Sequence, residues 1–498
     1  MNILKNNYLY LSLVIIIYLA ITIVSLNHCY FWDNIQQTSK EAHWYYNTNF
    51  SHILLPSFSD FSEQPLYLTP GKYDITGTGY HPPFTGIVTA LLWKIFGKSL
   101  WVSHIFIFCC SLILIFNAFK LFSILFPNKL YGAFIMLPLL DPSFLSQLSI
   151  AAPEIILMAA FVVCLRAIVC GKKILLSVGF IFLCLVNARG IFAGGIIFIF
   201  YWFYKIYCLK NKFYIKYFFK ELISFLPAFV ILIIFFAYYF SQRGWFFSDK
   251  DSIWASGYER PDSFQGLIKN ICVYLFLLFE NGRIFIWLFL FFMLKKIIYN
   301  GKNKRINLNN MEKSFLFLFV LFILMYLYIA SSTKVSIIAR YYMPIYFLLD
   351  ILFFIFAERL KIKKINTYVF VLILFLLAGN LSVYIYPDKL AKNWDSTLGH
   401  LPFYELRDEC FEYMEANGIP YEKTSAGFTF CWNQVYVDLK PKYRFIYNMQ
   451  HVQQYVIYSN ISNLEDYMID ELADKKKWAI LKDFRKGPVF ISIYKRVE

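Results

Sequence analysis

The sequence predicts a polytopic α-helical membrane protein of about eleven transmembrane helices, with a small α/β domain at its C-terminal end. Three observations carry that prediction. Of the 498 residues, 59% are hydrophobic and only 16% charged, against about 45–50% and about 25% in soluble domains. The apolar residues gather in runs long enough to cross a bilayer, which takes about 20 residues. Beyond residue 386 the runs stop and the chain turns polar. The net charge of +16 is spread in short pieces between apolar runs. Nucleic-acid binding needs basic charge gathered on one soluble face, so the charge reads as topology beside membrane lipids.

The first run, YLYLSLVIIIYLAITIVSL, follows Lys5. It is long for a signal peptide and lacks a small-residue cleavage site, so it reads as an uncleaved span. The predicted spans lie near 8–27, 100–125, 130–149, 153–170, 173–188, 190–208, 221–241, 283–299, 314–331, 341–357 and 367–386. The stretch from Ser263 to Glu280 reads as a re-entrant or an interfacial piece.

Lys and Arg in short loops set orientation. Arg166, Lys172 and Lys173, then KIYCLKNKFYIKYFFK, KKIIYNGKNKR and ERLKIKK, alternate so as to share one side, the cytoplasm. The opposite loops mix acids and bases, as in SQRGWFFSDKDSIWASGYERPD. An odd span count starting in the cytoplasm places the tail outside a cytoplasmic membrane. The chain then divides into a membrane domain, 1–386, and a soluble extracytoplasmic α/β domain, 387–498.

The first outer loop, 28–99, is long for a helical bundle, and long loops are often functional. It contains HPPFTGIVTALLWKIFGKS, whose apolar part is too short to span. If it crossed, every later loop would change side, so it reads as a helix lying on the outer surface. Pro82 and Pro83 suit its first turn, where missing N–H groups cost nothing. They do not explain His81.

In the tail, QQYVIYSN, KWAILKDF and PVFISIYKR read as strands, and LRDECFEYMEAN and NLEDYMIDELADKK as amphipathic helices. Most of the 10 cysteines lie in spans and serve as small apolar residues. Cys410 and Cys431 lie in the tail, where they either pair in an oxidising compartment or stay as two thiols. No Cys/His spacing suggests zinc.

This topology puts seven ionisable residues from distant segments near the outer face: Asp33, His81, Asp141, Glu154, Arg189, Arg283 and Arg340. Such residues at a membrane are costly, and a functional role is the default hypothesis. Together they suggest a cavity between helices. A carboxylate takes a proton from a hydroxyl, and Arg holds phosphate with paired hydrogen bonds. Plainer readings stand beside these. Asp33 also reads as an interfacial acid. Asp141 before Pro142 reads equally as a helix cap, and Glu154 as a charge at a helix's positive end. Arg189, Arg283 and Arg340 also read as snorkelling residues, with Arg340 the strongest functional candidate of the three.

The order of these features resembles a known superfamily. A first span is followed by an Asp in a long outer loop, an HPP helix ending in FG, a Pro-containing outer turn with an acid opening the next span, and later ARYYMP. This is similar to the GT-C fold glycosyltransferases, the bacterial relatives of protein O-mannosyltransferases and of the lipid A aminoarabinose transferase. The resemblance covers roughly the first 210 residues and returns at Arg340. It implies that Asp33 is the catalytic acid-base residue of the first outer loop. Asn34 stands where many members carry a second acid. His81 matches the HPP histidine, Glu154 takes the place of a family Asp, and Arg340 matches the arginine near the lipid phosphate. The implied reaction moves a sugar from a polyprenyl-phosphate donor to a protein, lipid or glycan acceptor. A divalent metal suits the carboxylates, but nothing in the sequence demands one. Two alternatives remain: a transporter or flippase for a lipid-linked sugar, and an O-antigen ligase or polymerase. No internal repeat of the transporter kind is visible.

Overall fold

The computed structural model describes residues 2–56, 81–127, 129–208, 215–244, 259–300, 308–334, 338–387, 392–428, 430–440, 444–449, 452–462 and 464–497. Part of the first outer loop, 57–80, and parts of the predicted loops at 209–214, 245–258 and 301–307 lie outside these residues.

Among the described residues, seven helices are long and apolar enough to cross a membrane: Asn6–Ser25, Leu100–Leu125, Ala188–Cys208, Leu226–Arg243, Asn310–Ser332, Ala339–Arg359 and Ile365–Tyr384. The pair Phe264–Phe279 and Ile284–Lys296, bent by 87°, makes an eighth if counted as one span. The chain is a multi-pass membrane protein. The expected count of about eleven is not confirmed, and the reasons are local. The run at 130–149 splits into Tyr131–Leu139 and Pro142–Ser149. Pro138 and Pro142 remove backbone donors there, and Asp141 between them is extended, with ψ 136°. The runs at 153–170 and 173–188 form the 17-residue helix Glu154–Cys170 and the 14-residue helix Lys173–Val186. The ambiguous stretch after Ser263 is the first arm of the bent pair.

The helix Met343–Arg359 is buried almost along its whole length, as a sequence apolar on nearly every side but for the buried Asp350 requires. It carries the bundle core, packed with Leu, Ile and Phe from the surrounding helices. Arg340 and Arg359 lie 19 positions apart at opposite ends of one span, or about 28 Å at 1.5 Å per residue, close to a bilayer's thickness. Glu312 meets Arg359 at 2.7 Å, at the end where ERLKIKK leaves the helix. The residues singled out at the outer face gather at the other end.

The short helix Phe84–Phe96 begins directly after Pro83 and ends at Gly97, whose φ of 88° is left-handed. At 13 residues it is too short to span. Its Gly86 lies so close to Glu41 that a Cβ there would sit 2.3 Å from the Glu41 Cβ. Glycine thus permits this helix to press against the helix Glu41–Asn47.

The tail holds a six-stranded mixed sheet of β1 (Thr424–Ala426), β2 (Trp432–Asn433), β3 (Phe445–Asn448), β4 (Tyr455–Ser459), β5 (Trp478–Lys486) and β6 (Val489–Arg496), in the order β2-β3-β1-β4-β6-β5. β1 runs parallel to β3 and β4, and β4, β6 and β5 are antiparallel. The predicted strands and both amphipathic helices are present, the latter as Pro402–Ala416 and Asp466–Ala473. Cys410 is a buried free thiol, so the structure does not join it to Cys431.

The tail does not stand apart from the first loop. Tyr30, Phe31, Trp32 and Ile35 share one apolar core with Trp394, Phe403, Phe430 and Ile491. The Tyr30 N–H donates to the Val437 carbonyl at 2.9 Å, and the Ser39 hydroxyl to the Tyr436 carbonyl at 2.6 Å.

Candidate active site

Asp33 sits in a distorted stretch of backbone. Trp32 before it is left-handed, with φ 48°, a conformation that costs an ordinary residue about 1–2 kcal/mol. A π-helical turn, Ile35–Lys40, follows, and such turns often mark functional sites. Asn34 donates to the Ile150 carbonyl at 2.8 Å. It therefore ties the first loop to the turn that carries Glu154.

Arg340 lies in the 3-10 turn Ala339–Tyr342 that opens the central helix. Its guanidinium is only 4% exposed and pairs with two carboxylates, Asp33 through one terminal nitrogen and Asp395 through the other. A third, Glu154, stands 3.5 Å from Nε. Glu154 accepts from Arg189 at 2.5 Å, and the Arg189 guanidinium lies 3.8 Å from the Tyr341 ring centre, a cation–π contact. Three carboxylates thus face two guanidinium groups. Two guanidinium nitrogens, Arg340 Nε and Arg189 Nη1, are buried with no hydrogen-bond partner among the described residues. An unmet buried donor costs about 1–3 kcal/mol.

His81 joins this cluster from the edge. Its Nδ1 accepts the Ala188 N–H at 3.2 Å, at the start of the helix that carries Arg189. A neutral ring accepting there carries its proton on Nε2, which lies 3.3 Å from the Gln37 side-chain nitrogen and donates to Gln37 only with that amide turned to present its oxygen. Burial, helped by the nearby Arg189 charge, pushes the His81 pKa down to about 3. The imidazole is therefore a neutral donor at ordinary pH, not a cation.

Two predicted residues stand apart. Arg283 grips Asp141 with two bonds of 2.7 Å, donates to the Ser143 hydroxyl at 2.7 Å and lies 3.6 Å from the Tyr346 ring centre. Asp141 also caps its helix by accepting the Ser143 N–H at 2.8 Å. Arg283 has no exposed side-chain surface and Asp141 is 2% exposed. This is a closed structural pair. It clamps the break between Tyr131–Leu139 and Pro142–Ser149 to the bend between Phe264–Phe279 and Ile284–Lys296. The capping reading of Asp141 is realised, and Arg283 does not snorkel.

The sequence reading missed Asp395, which belongs to the tail. Its side chain is fully buried, and its carbonyl accepts from Ser146 at 2.8 Å and from Gln147 at 2.5 Å. The available signal was an acid in KNWDSTLGH soon after the last span, on the side assigned to Asp33. Gln37 and Tyr341 were also missed, because a polar residue in a loop and a tyrosine at a span end carry no distinct pattern. Among the described residues, no group of three or more His, Cys, Asp or Glu side chains is arranged to hold a metal ion.

ArnT from Cupriavidus metallidurans bound to undecaprenyl phosphate superposes with a TM-score of 0.55 at 11% identity, over 98% of this chain and 97% of that one. The apo state of the same protein gives 0.54 at 12% identity, over 97% of each chain. The chain has the GT-C fold. At this identity the likeness establishes fold, and it extends through the tail as well as the bundle. No family model matches the chain, and no curated protein matches its sequence. Within the GT-C fold the cluster of Asp33, Glu154, Arg189 and Arg340 draws on the first loop, two helix starts and the turn before the central helix.

Proposed function

We propose that this chain is an integral-membrane glycosyltransferase that moves a sugar from a polyprenyl-phosphate donor to a protein, lipid or glycan acceptor. The carrying observation is the pair of buried guanidinium nitrogens with no hydrogen bond among the described residues, Arg340 Nε, which faces Glu154 at 3.5 Å, and Arg189 Nη1, beside the partly exposed Asp33. Buried, unmet cationic donors fit an anionic oxygen ligand such as a phosphate. The fold supports the same reading, since the ArnT neighbour holds undecaprenyl phosphate.

In this reading the prenyl chain lies between spans and the phosphate meets Arg340 and Arg189. His81 contributes a neutral Nε2–H donor. The acceptor oxygen attacks the anomeric carbon while Asp33 takes its proton. The bond from that carbon to the phosphate oxygen breaks, and the oxygen keeps the electron pair. The guanidinium groups meet this charge as it develops, so they stabilise the transition state more than the ground state. Attack opposite the phosphate inverts the anomeric configuration. Residues 1–386 form the transferase domain and 387–498 the soluble extracytoplasmic domain. The reaction takes place at the outer face of the cytoplasmic membrane.

The test is transfer by the purified protein in liposomes, supplied with envelope acceptors and a set of polyprenyl-phosphate sugars. Release of polyprenyl phosphate matched by new glycan is the expected result. Donor movement across the bilayer without release would instead show a flippase. Mass spectrometry of glycans and glycoproteins from a deletion strain identifies sugar and acceptor.

A further inference from the structure

Arg340 is held by two carboxylates whose surroundings are opposite. Asp395 has no exposed side-chain surface, and Ser146 and Gln147 fix its backbone. Its neighbour Trp394 is fully buried and donates to the Asn460 carbonyl at 2.9 Å. Asp33 is 32% exposed. It lies between a left-handed residue, Trp32, and the π-helical turn Ile35–Lys40. Arg340 itself is 4% exposed and Glu154 7%. Within the described cluster, Asp33 is thus the most exposed of the three acids around Arg340. The cluster already holds one more carboxylate than guanidinium, so an arriving anion meets an unfavourable field unless an acid leaves.

We infer that Asp395 is a positioning residue, supplied by the tail, that fixes Arg340 in the site, and that Asp33 is the carboxylate which the donor phosphate displaces from that arginine. This rests on the reading of the site as a lipid-phosphate transferase. The two acids then have opposite effects on one cation. Asp395 keeps the guanidinium aimed where the phosphate arrives. Asp33 masks the guanidinium, and the guanidinium in turn masks Asp33, because the Oδ2 of that carboxylate is held by Arg340 and is not free to face an acceptor hydroxyl. Donor binding breaks that pair and frees the base beside the acceptor. An acceptor arriving first meets a base still engaged, so the donor binds first. No atom or electron changes hands in this exchange; one anion replaces another on Arg340.

The probe is undecaprenyl phosphate without sugar, titrated against the full chain in detergent. Asp33→Asn removes the competing charge and is expected to bind the probe about five-fold tighter, the scale of one partly exposed ion pair. Asp395→Asn is expected to bind it about ten-fold more weakly, the scale of a misplaced charged hydrogen bond. The opposite signs are the signature. If both variants tighten, Asp395 is only another competing anion and the positioning role is wrong. If Asp33→Asn weakens binding or leaves it unchanged, the displacement is wrong while the transferase reading stands. If the wild-type chain does not bind the probe, the transferase reading itself fails and the inference goes with it. Should Asp395→Asn not fold, the tightening required of Asp33→Asn still puts the proposal at risk, because Asp33 lies at the exposed edge of the cluster.

Discussion

The molecule contains two arginine–carboxylate clusters near one end of its bundle, and they differ in closure. Around Arg283, two bonds to Asp141 and one to Ser143 combine with the Tyr346 ring, and no side-chain surface of the arginine is exposed. Around Arg340, three carboxylates crowd one guanidinium, Nε faces Glu154 at 3.5 Å with no hydrogen bond among the described residues, and one acid is a third exposed. In the sequence both are arginines beside an apolar run that also read as snorkelling, and the ARYYMP segment set Arg340 ahead without showing how either is paired. The comparison teaches that burial of a charge does not identify a site. A charge whose partners are complete holds structure together, and one whose partners are mismatched and reachable is available for chemistry.

Substitutions sharpen that contrast. The largest effect is expected from Asp33→Asn, which removes the proposed base and lowers the transfer rate by about 10²–10⁴-fold. Its melting temperature, followed by intrinsic fluorescence in detergent, stays near that of the parent. A large loss of stability with little loss of rate would move Asp33 into the structural class.

Arg283→Met is expected to do the reverse, costing about 3–5 kcal/mol because Asp141 is left as an unpaired buried charge. Adding Asp141→Leu removes that charge and recovers most of the loss, which thermal unfolding of the single and double variants measures. A stable single variant that has lost turnover would overturn the division between the clusters.

Acid is expected to act on the docking of loop and tail. Burial pushes His28 and His43 down to about 3 and His400 to about 4, with His81 at about 3. The unfolded chain, whose histidines titrate near the usual 6.5, therefore binds more protons as the pH falls below that value. The stability these groups contribute is full above pH 6.5 and is lost progressively towards pH 3. His400 alone accounts for about 1–3 kcal/mol of this, so His400→Asn flattens the slope of melting temperature against pH. An unchanged slope would assign the acid sensitivity elsewhere.

The smallest effect is expected from His81→Gln. A neutral donor at the edge of the site is worth about 1 kcal/mol, so the KM for donor rises about five-fold with kcat little changed. A steep rise of KM with pH near neutrality, lost in the variant, would show that His81 is a cation after all.

How legible was the site beforehand? Asp33, Glu154, Arg189 and Arg340 are rare charges at span ends, and the cost of a charge at a membrane made them visible. The structure brings these four together with His81. Asp141 and Arg283 were visible for the same reason, but cost alone does not tell a clamp from a site. Asp395 was not visible, because an acid in a polar tail is ordinary by composition. Its burial and its partner exist only once residues 394–396 pack against the helix Pro142–Ser149.

Composition and run length by themselves determined that this chain is a multi-pass helical membrane protein with an α/β tail, since a bilayer admits apolar helices and the tail's alternation suits a sheet. They did not determine how many runs are long straight spans. Pro138, Pro142 and the bend at 280–283 interrupt runs whose hydropathy alone reads as continuous. Only the tertiary structure decided which charges meet. Asp33 and Arg340 lie 307 positions apart and Asp395 a further 55 from Arg340, and pairing over such distances is set by the packing of whole helices and by the tail's docking on the first loop. Hydropathy, a property of each segment, is written along the chain; the exposure and partners of a charge belong to the assembled fold.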